Sequence, residues 1–175
     1  KKFYENKAKV ARTKINQADA LAQIESKTCD LSNRDAGYLI FNGLDLSHCN
    51  MQNVSFFGAE LKGAKLIGAN MRGAYLNLAR IENADFSNAD LTDAIIFQPI
   101  FDKTIFKGAT MVNARVIGTL GKVDMSGIDA RKDRFGLDVG NQPMGQMKFD
   151  SAGGNFKGTD FEDADLNIAS FIFGD

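Results

Sequence analysis

From Leu39 onward the apolar residues recur every five positions. A first inward series runs Leu39, Leu44, Cys49, Val54, then alanine at every fifth position from Ala59 to Ala94, then Pro99, Thr104, Ala109 and Ala114. Two residues after each comes a larger side chain: Phe41, Leu46, Met51, Phe56, Leu61, Leu66, Met71, Leu76, Ile81, Phe86, Leu91, Ile96, Phe101, Phe106, Met111 and Val116. None of these sixteen is polar. A period of five fits neither an α-helix nor a long flat strand, whose repeats are about 3.6 and 2 residues. It fits a short strand followed by a corner. Residues two apart face the same side of a strand. The next two positions hold turn formers, as in Lys62-Gly63, Ser87-Asn88 and Thr92-Asp93. A chain that turns the same way at every unit must coil, with small residues in tight places and large ones filling the axis.

The stretches Ala84-Asp85-Phe86-Ser87-Asn88 and Ala89-Asp90-Leu91-Thr92-Asp93 carry this pattern most regularly. They resemble the pentapeptide-repeat family, whose consensus is Ala-(Asp/Asn)-Leu-x-x. The resemblance implies an all-β solenoid: a right-handed quadrilateral β-helix with four units to each coil. Residues twenty apart then stack at about the strand spacing of ~4.8 Å. This predicts four interior columns: Phe41, Leu61, Ile81, Phe101; Leu46, Leu66, Phe86, Phe106; Met51, Met71, Leu91, Met111; and Phe56, Leu76, Ile96, Val116.

Outside the regular stretch the pattern changes twice. Ahead of it, residues 1–28 form a separate segment. Within it, Tyr4, Ala8, Ala11, Ile15, Ala18 and Ala22 make one apolar stripe, and no glycine or proline interrupts residues 3–26. The spacing predicts an N-terminal α-helix there. It serves either as a cap on the open end of the β-helix or as a coiled-coil arm. Cys29 and Leu31 begin the first partial coil of a repeat region covering 29–175.

After Val116 the strict register would place Gly121, Ser126 and Arg131 inside. A shifted register pairs Val123 with Met125 and Ile128 with Ala130. Residues 131–146 fit no unit and read as a projecting loop. Met147 and Phe149 resume the coil. Gly154 with Phe156, Thr159 with Phe161, Ala164 with Leu166 and Ala169 with Phe171 follow, giving nearly six coils in all.

Composition adds boundaries rather than an activity. With 44% apolar and 25% charged residues, the chain is globular. Its net charge of −1 points to neither nucleic acid nor membrane. No apolar run approaches the roughly 20 residues of a membrane span. A cytoplasmic setting is favoured, with a removed export signal left open. His48, the only histidine, lies at a turn with no convergent partner. It reads as a surface residue, and no serine sits in a nucleophile signature. The column Met51, Met71, Met111 reads as core. The outward carboxylates Asp160, Glu162, Asp163 and Asp165 read as a solvated face. Cys29 and Cys49, twenty apart, fall on adjacent coils within disulfide reach, but at this position cysteine reads first as a substitute for alanine. No catalytic, cofactor-binding or metal-binding residue emerges, and the chain is expected not to be an enzyme.

The loop is the one feature that the repeat does not require. Long loops in compact domains are often functional. Arg131, Lys132 and Arg134 lie there beside Phe135, Leu137, Val139 and Met144, a mixture suited to a protein partner. The expected function is a protein-binding or scaffolding module contacting its partner through these residues, with homodimerisation open. A second reading comes from the resemblance alone. Some family members mimic B-form DNA and occupy the DNA site of gyrase, so a DNA-mimicking gyrase regulator is the alternative. Mimicry needs a strongly acidic surface, whereas residues 29–118 hold eight Lys/Arg against nine Asp/Glu.

Overall fold

The computed structural model describes residues 10–120, 122–138, 146–147, 149–167 and 169–172. Each five-residue unit has two inward residues flanking an outward one, then two turn residues. Local chemistry explains the order. From Gly43 to Asn113, every fifth residue takes a left-handed φ, for example 65° at Gly63 and 57° at Asn88. Glycine adopts this conformation without cost, and asparagine tolerates it. The outward Asp or Asn ties down the turn through its own side chain. Asp85 Oδ1 accepts the Ser87 N–H at 2.9 Å, and Asp45 does the same for Ser47 at 2.9 Å.

The outward residue also carries the ladder between coils. Ile40 bridges Glu60, Glu60 bridges Arg80, and Arg80 bridges Ile100, all in parallel. The backbone pairs on both sides: Leu61 N–H donates to Arg80 O at 2.7 Å, and Arg80 N–H donates to Ala59 O at 2.9 Å. Four units therefore make one coil of twenty residues, and four sides result. The first side carries Phe41, Leu61, Ile81 and Phe101 inward; the second Leu46, Leu66, Phe86 and Phe106; the third Met51, Met71, Leu91 and Met111; the fourth Phe56, Leu76, Ile96 and Val116. All are buried. Burying each such side chain contributes roughly 1.5–3 kcal/mol before entropy is counted, so this continuous column is the principal source of cohesion. Thr104, the polar member of the small series, is fully buried, and its hydroxyl donates to Ile81 O at 2.7 Å.

The N-terminal segment departs from expectation. Its described helix is Gln17–Glu25, not a helix over 3–26, and Tyr4 and Ala8 lie outside the described residues. Thr13–Lys14 is instead a strand paired in parallel with Arg34–Asp35. Ile15 and Ala20 are buried, whereas Ala11, Ala18 and Ala22 are exposed. The open edge of the first coil decides this. Its unpaired carbonyls accept from Thr13 N–H and Ile15 N–H at 3.0 Å each, bonds that a helix would have used internally. Asn16 then starts the helix, its side chain accepting from Asp19 N–H at 2.8 Å.

The register after Val116 also resolves differently. Thr110 bridges Asp129 and Arg115 pairs with Arg134, so one coil has nineteen residues rather than twenty. Arg134 in turn bridges Asp165, thirty-one residues on. Val123, Met125, Ile128 and Ala130 point inward as expected. The next unit does too: Asp133 takes the small position and Phe135 the large one, each no more than 1% exposed. A charged residue at an inward position hid this unit from the hydrophobic pattern. The excursion therefore begins after Phe135. Its described part is an antiparallel pair, Leu137–Asp138 with Gln146–Met147. With the N-terminal strand and the internal unit of Asp133 and Phe135 added, the solenoid has about seven turns rather than nearly six.

Cys29 and Cys49 form a disulfide with Cα atoms 5.0 Å apart. Substitution for alanine explains why both are buried. Stacking on adjacent coils brings their sulfurs together, so of the two sequence readings the disulfide holds over simple substitution for alanine.

Candidate interaction face

The four sides differ in what they show to solvent. Along the third, the outward column is Asp30, Asn50, Asn70, Asp90, Thr110, Asp129 and Asp160, polar throughout. The fourth is mixed: its outward column holds Asp35, Ser55, Arg115, Arg134 and Asp165 beside Tyr75 and Ile95. Its outward and turn positions include Tyr38, Phe57, Tyr75, Leu78, Ile95, Phe97 and Ile117. Ile95 and Ile117 are shielded by neighbours, but Tyr38 is 72% exposed and Leu78 46%.

Backbone conformation makes Tyr38 and Leu78 unexpected. They occupy the last position of their units at φ 62° and 57°. A Cβ-bearing apolar residue is unfavourable there; the other units described place Gly, Asn, Asp or a longer polar residue such as His48, Gln98 or Lys103 at that position. Between them in the same column stands Gly58, φ 63°. A Cβ on Gly58 would lie 2.7 Å from Tyr38 Cε1, so its absence lets the Tyr38 ring lie across the next coil. That ring meets Phe57 edge-on at 5.5 Å, and Phe57 stacks on Tyr75 at 6.3 Å. An aromatic ladder results, climbing three coils.

The ladder ends beneath the N-terminal segment. The Arg12 guanidinium sits 5.8 Å over the Tyr75 ring, and its Nε donates to Asn53 O at 2.6 Å. Burial holds Arg12 below its usual pKa, with nearby Asp35 and Tyr75 offsetting part of the effect. Arg12, Asn53, Arg72, Gly73, Tyr75 and Ile95 help line a cleft of about 380 Å³. Arg72 is already engaged with Asp90 at 3.2 Å.

The structure separates the residues that sequence reasoning grouped. Arg131 and Lys132 form a turn on the third side, and Arg131 is held by Asp129 through two bonds of 2.8 Å. Arg134 lies on the fourth side, 3.7 Å from Asp165. Phe135 is fully buried between Val116 and the Phe149 ring and offers nothing to a partner. Leu137 belongs to the antiparallel pair, while Val139 and Met144 lie outside the described residues. The excursion leaves the solenoid from the fourth side, directly after Phe135: Gly136 N–H donates to Val116 O at 2.9 Å. Sequence reasoning missed Tyr38, Phe57, Tyr75 and Leu78. The available signal was an apolar or aromatic residue where the turn calls for Gly or Asn. His48 is exposed at a turn, and among the described residues no group of three or more His, Cys, Asp or Glu side chains converges as metal ligands would.

A family model described as pentapeptide repeats matches residues 55–93 with eight copies. No curated protein matches the sequence. Among solved structures, HetL, a pentapeptide repeat protein involved in heterocyst differentiation regulation from the cyanobacterium Nostoc sp. strain PCC 7120, is 19% identical. That match covers 82% of this chain and 77% of HetL, with a TM-score of 0.34. A pentapeptide repeat protein of the Arabidopsis thaliana thylakoid lumen is 26% identical over 66% of this chain and 70% of its own, with a TM-score of 0.33. Trypsin-treated QnrB1, a plasmid-mediated fluoroquinolone resistance protein, is 22% identical over 84% of this chain and 64% of its own, with a TM-score of 0.40.

Proposed function

We propose that this chain, a pentapeptide-repeat protein, is a non-enzymatic binding module that presents the fourth side of its β-helix to a protein partner. One observation carries the reading. Tyr38 and Leu78 expose large apolar side chains at left-handed turn positions, where the fold itself favours Gly or Asn. Local strain combined with exposed apolar surface is a cost to stability that a binding role would explain. Phe57, Tyr75 and Phe97 extend the surface, and aromatic anchors of this kind dominate protein interfaces. The excursion beyond Gly136 leaves from the same side, so Leu137 stays in the proposal, with Val139 and Met144 retained on the sequence reading alone. Phe135 does not.

Charge weighs against the DNA-mimic alternative. Seven coils rise about 34 Å at the ~4.8 Å strand spacing. B-form DNA of that length carries about twenty charges, against a net charge of −1 for the whole chain. The Cys29–Cys49 disulfide supports an oxidising compartment in place of the cytoplasm first expected. Among the described residues, no helix is long and apolar enough to cross a membrane.

The test is a double substitution, Tyr38→Asn with Leu78→Asn. We expect equal or higher thermal stability, because Asn suits the turns, together with loss of the proteins cross-linked by the wild-type chain. Undiminished capture of the same proteins would remove the fourth side from consideration. Inhibition of gyrase supercoiling, retained in the variant, would favour the alternative.

A further inference from the structure

The segment Thr13–Glu25 closes the open edge of the first coil, yet little of it is anchored in the core. Its helix has nine residues, too short to persist undocked. Only Ile15 and Ala20 are fully buried within it. Polar contacts supply the rest. The Gln17 side chain imitates a strand, with Nε2 donating to Ile40 O and Oε1 accepting Ile40 N–H, both at 2.8 Å. Gln23 Oε1 accepts Asp30 N–H at 3.2 Å, and Ser26 Oγ accepts Cys29 N–H at 3.0 Å.

Cys29 stands where this cap joins the coils. Its φ is 33°, a conformation unfavourable for any residue with a Cβ. Its sulfur is bonded to Cys49, which sits 2% exposed above Ala69 and Ala89 in a fully stacked column. The covalent bond therefore fixes the hinge of the cap to a rigid part of the solenoid. Cutting it frees Cys29 to leave the left-handed region, and the Ser26 contact that ends the helix goes with it.

We propose that the Cys29–Cys49 bond is a redox latch on this cap. Oxidised, it keeps the edge of the first coil covered. Reduced, it lets the cap open and uncovers the backbone of Asn33, Asp35 and Ile40, an unpaired strand edge of the kind that pairs with another chain. The reductant is a dithiol. One of its thiolates attacks the Cys29 sulfur, which is 8% exposed, and Cys49 leaves as a thiolate. The second thiol then displaces Cys29 from the mixed disulfide. Two electrons and two protons pass from the dithiol to the cysteines, leaving two thiols here and one disulfide on the reductant. The latch does not rest on the proposed binding face, although Arg12, just ahead of the cap, lies over Tyr75 of that face.

Hydrogen exchange on the full chain tests it, comparing oxidised protein, protein reduced with dithiothreitol, and the double variant Cys29→Ala with Cys49→Ala. The bond acts on the cap through the Ser26 contact and the left-handed φ of Cys29, and losing each shifts the opening equilibrium by roughly 5-fold. Amides of Thr13–Glu25 should therefore exchange roughly 25-fold faster on reduction, while those of residues 59–114 stay protected. The double variant should match the reduced protein with or without dithiothreitol. Identical cap exchange in all three samples overturns the proposal. So does equal loss of protection along the whole chain, which would make the bond a global staple, or free thiols found by mass before any reductant is added.

Discussion

Asp133 gives the sharpest physical test of the fold. It occupies an inward position meant for a small apolar residue and is 1% exposed. Its Oδ1 accepts the Ala114 N–H at 2.6 Å, while its buried Oδ2 makes no hydrogen bond. Burial dominates and raises the carboxyl from 3.8 to about 8. The Ala114 N–H and the Arg115 charge pull it back in part, and Asp129 pushes it further up. The folded chain thus holds a proton that the unfolded chain releases near pH 4. The stabilising protonated form is fully present below about pH 4, and its contribution is lost as pH rises through about 8. Four units at about 1.4 kcal/mol each give an upper bound near 6 kcal/mol, of which about 4 kcal/mol is already lost at pH 7. Asp30, Asp45, Asp90 and Asp129 shift the other way, held down by hydrogen bonds or neighbouring arginines. Their contributions are present above their ordinary values and fade only in acid. The two windows therefore separate, and stability should peak near pH 4–5. Urea unfolding from pH 4 to 9 would trace the decline. Asp133→Asn keeps an acceptor for Ala114 and cannot ionise, so its profile should be flat from pH 5 to 8 and lie a few kcal/mol above wild type at pH 8. Parallel profiles for the two proteins, or a variant weaker at pH 8, would refute the buried neutral acid.

Other substitutions probe separate parts of the molecule. Leu91→Asp puts a charge in the third column between Met71 and Met111, where Leu91 is fully buried; the cost of several kcal/mol should abolish the cooperative melt, and an unchanged melt would disprove the inward assignment. Gly58→Ala forces a Cβ into a left-handed turn and into the Tyr38 ring, so a loss of about 1–2 kcal/mol in denaturant unfolding and altered Tyr38 fluorescence are expected. Thr104→Val removes the donor to Ile81 O and leaves a buried carbonyl with one partner fewer, which should cost about 1–2 kcal/mol in the same assay.

How much the sequence settled follows from which forces are local. The five-residue period, the inward columns and the turns depend on neighbours in the chain: alternation along a short strand, then a residue able to take φ above zero. Each recurs some sixteen times between Leu39 and Val116, so the pattern was readable without coordinates. Four features depended on contacts between coils. Residues 13–14 became a strand because an edge twenty-one residues away needed partners, and local helix propensity lost to that demand. Asp133 could face inward because Ala114 N–H on the coil above donates to it; a pattern that rejects charged residues from the core has no means to see this. The disulfide and the aromatic ladder of Tyr38, Phe57 and Tyr75 likewise exist only once coils stack. In sequence these residues are nearly twenty apart and look like isolated departures from a turn consensus. A solenoid sets its core by repetition along the chain. It sets its surface across the coils, and there only the tertiary structure decides which departures meet.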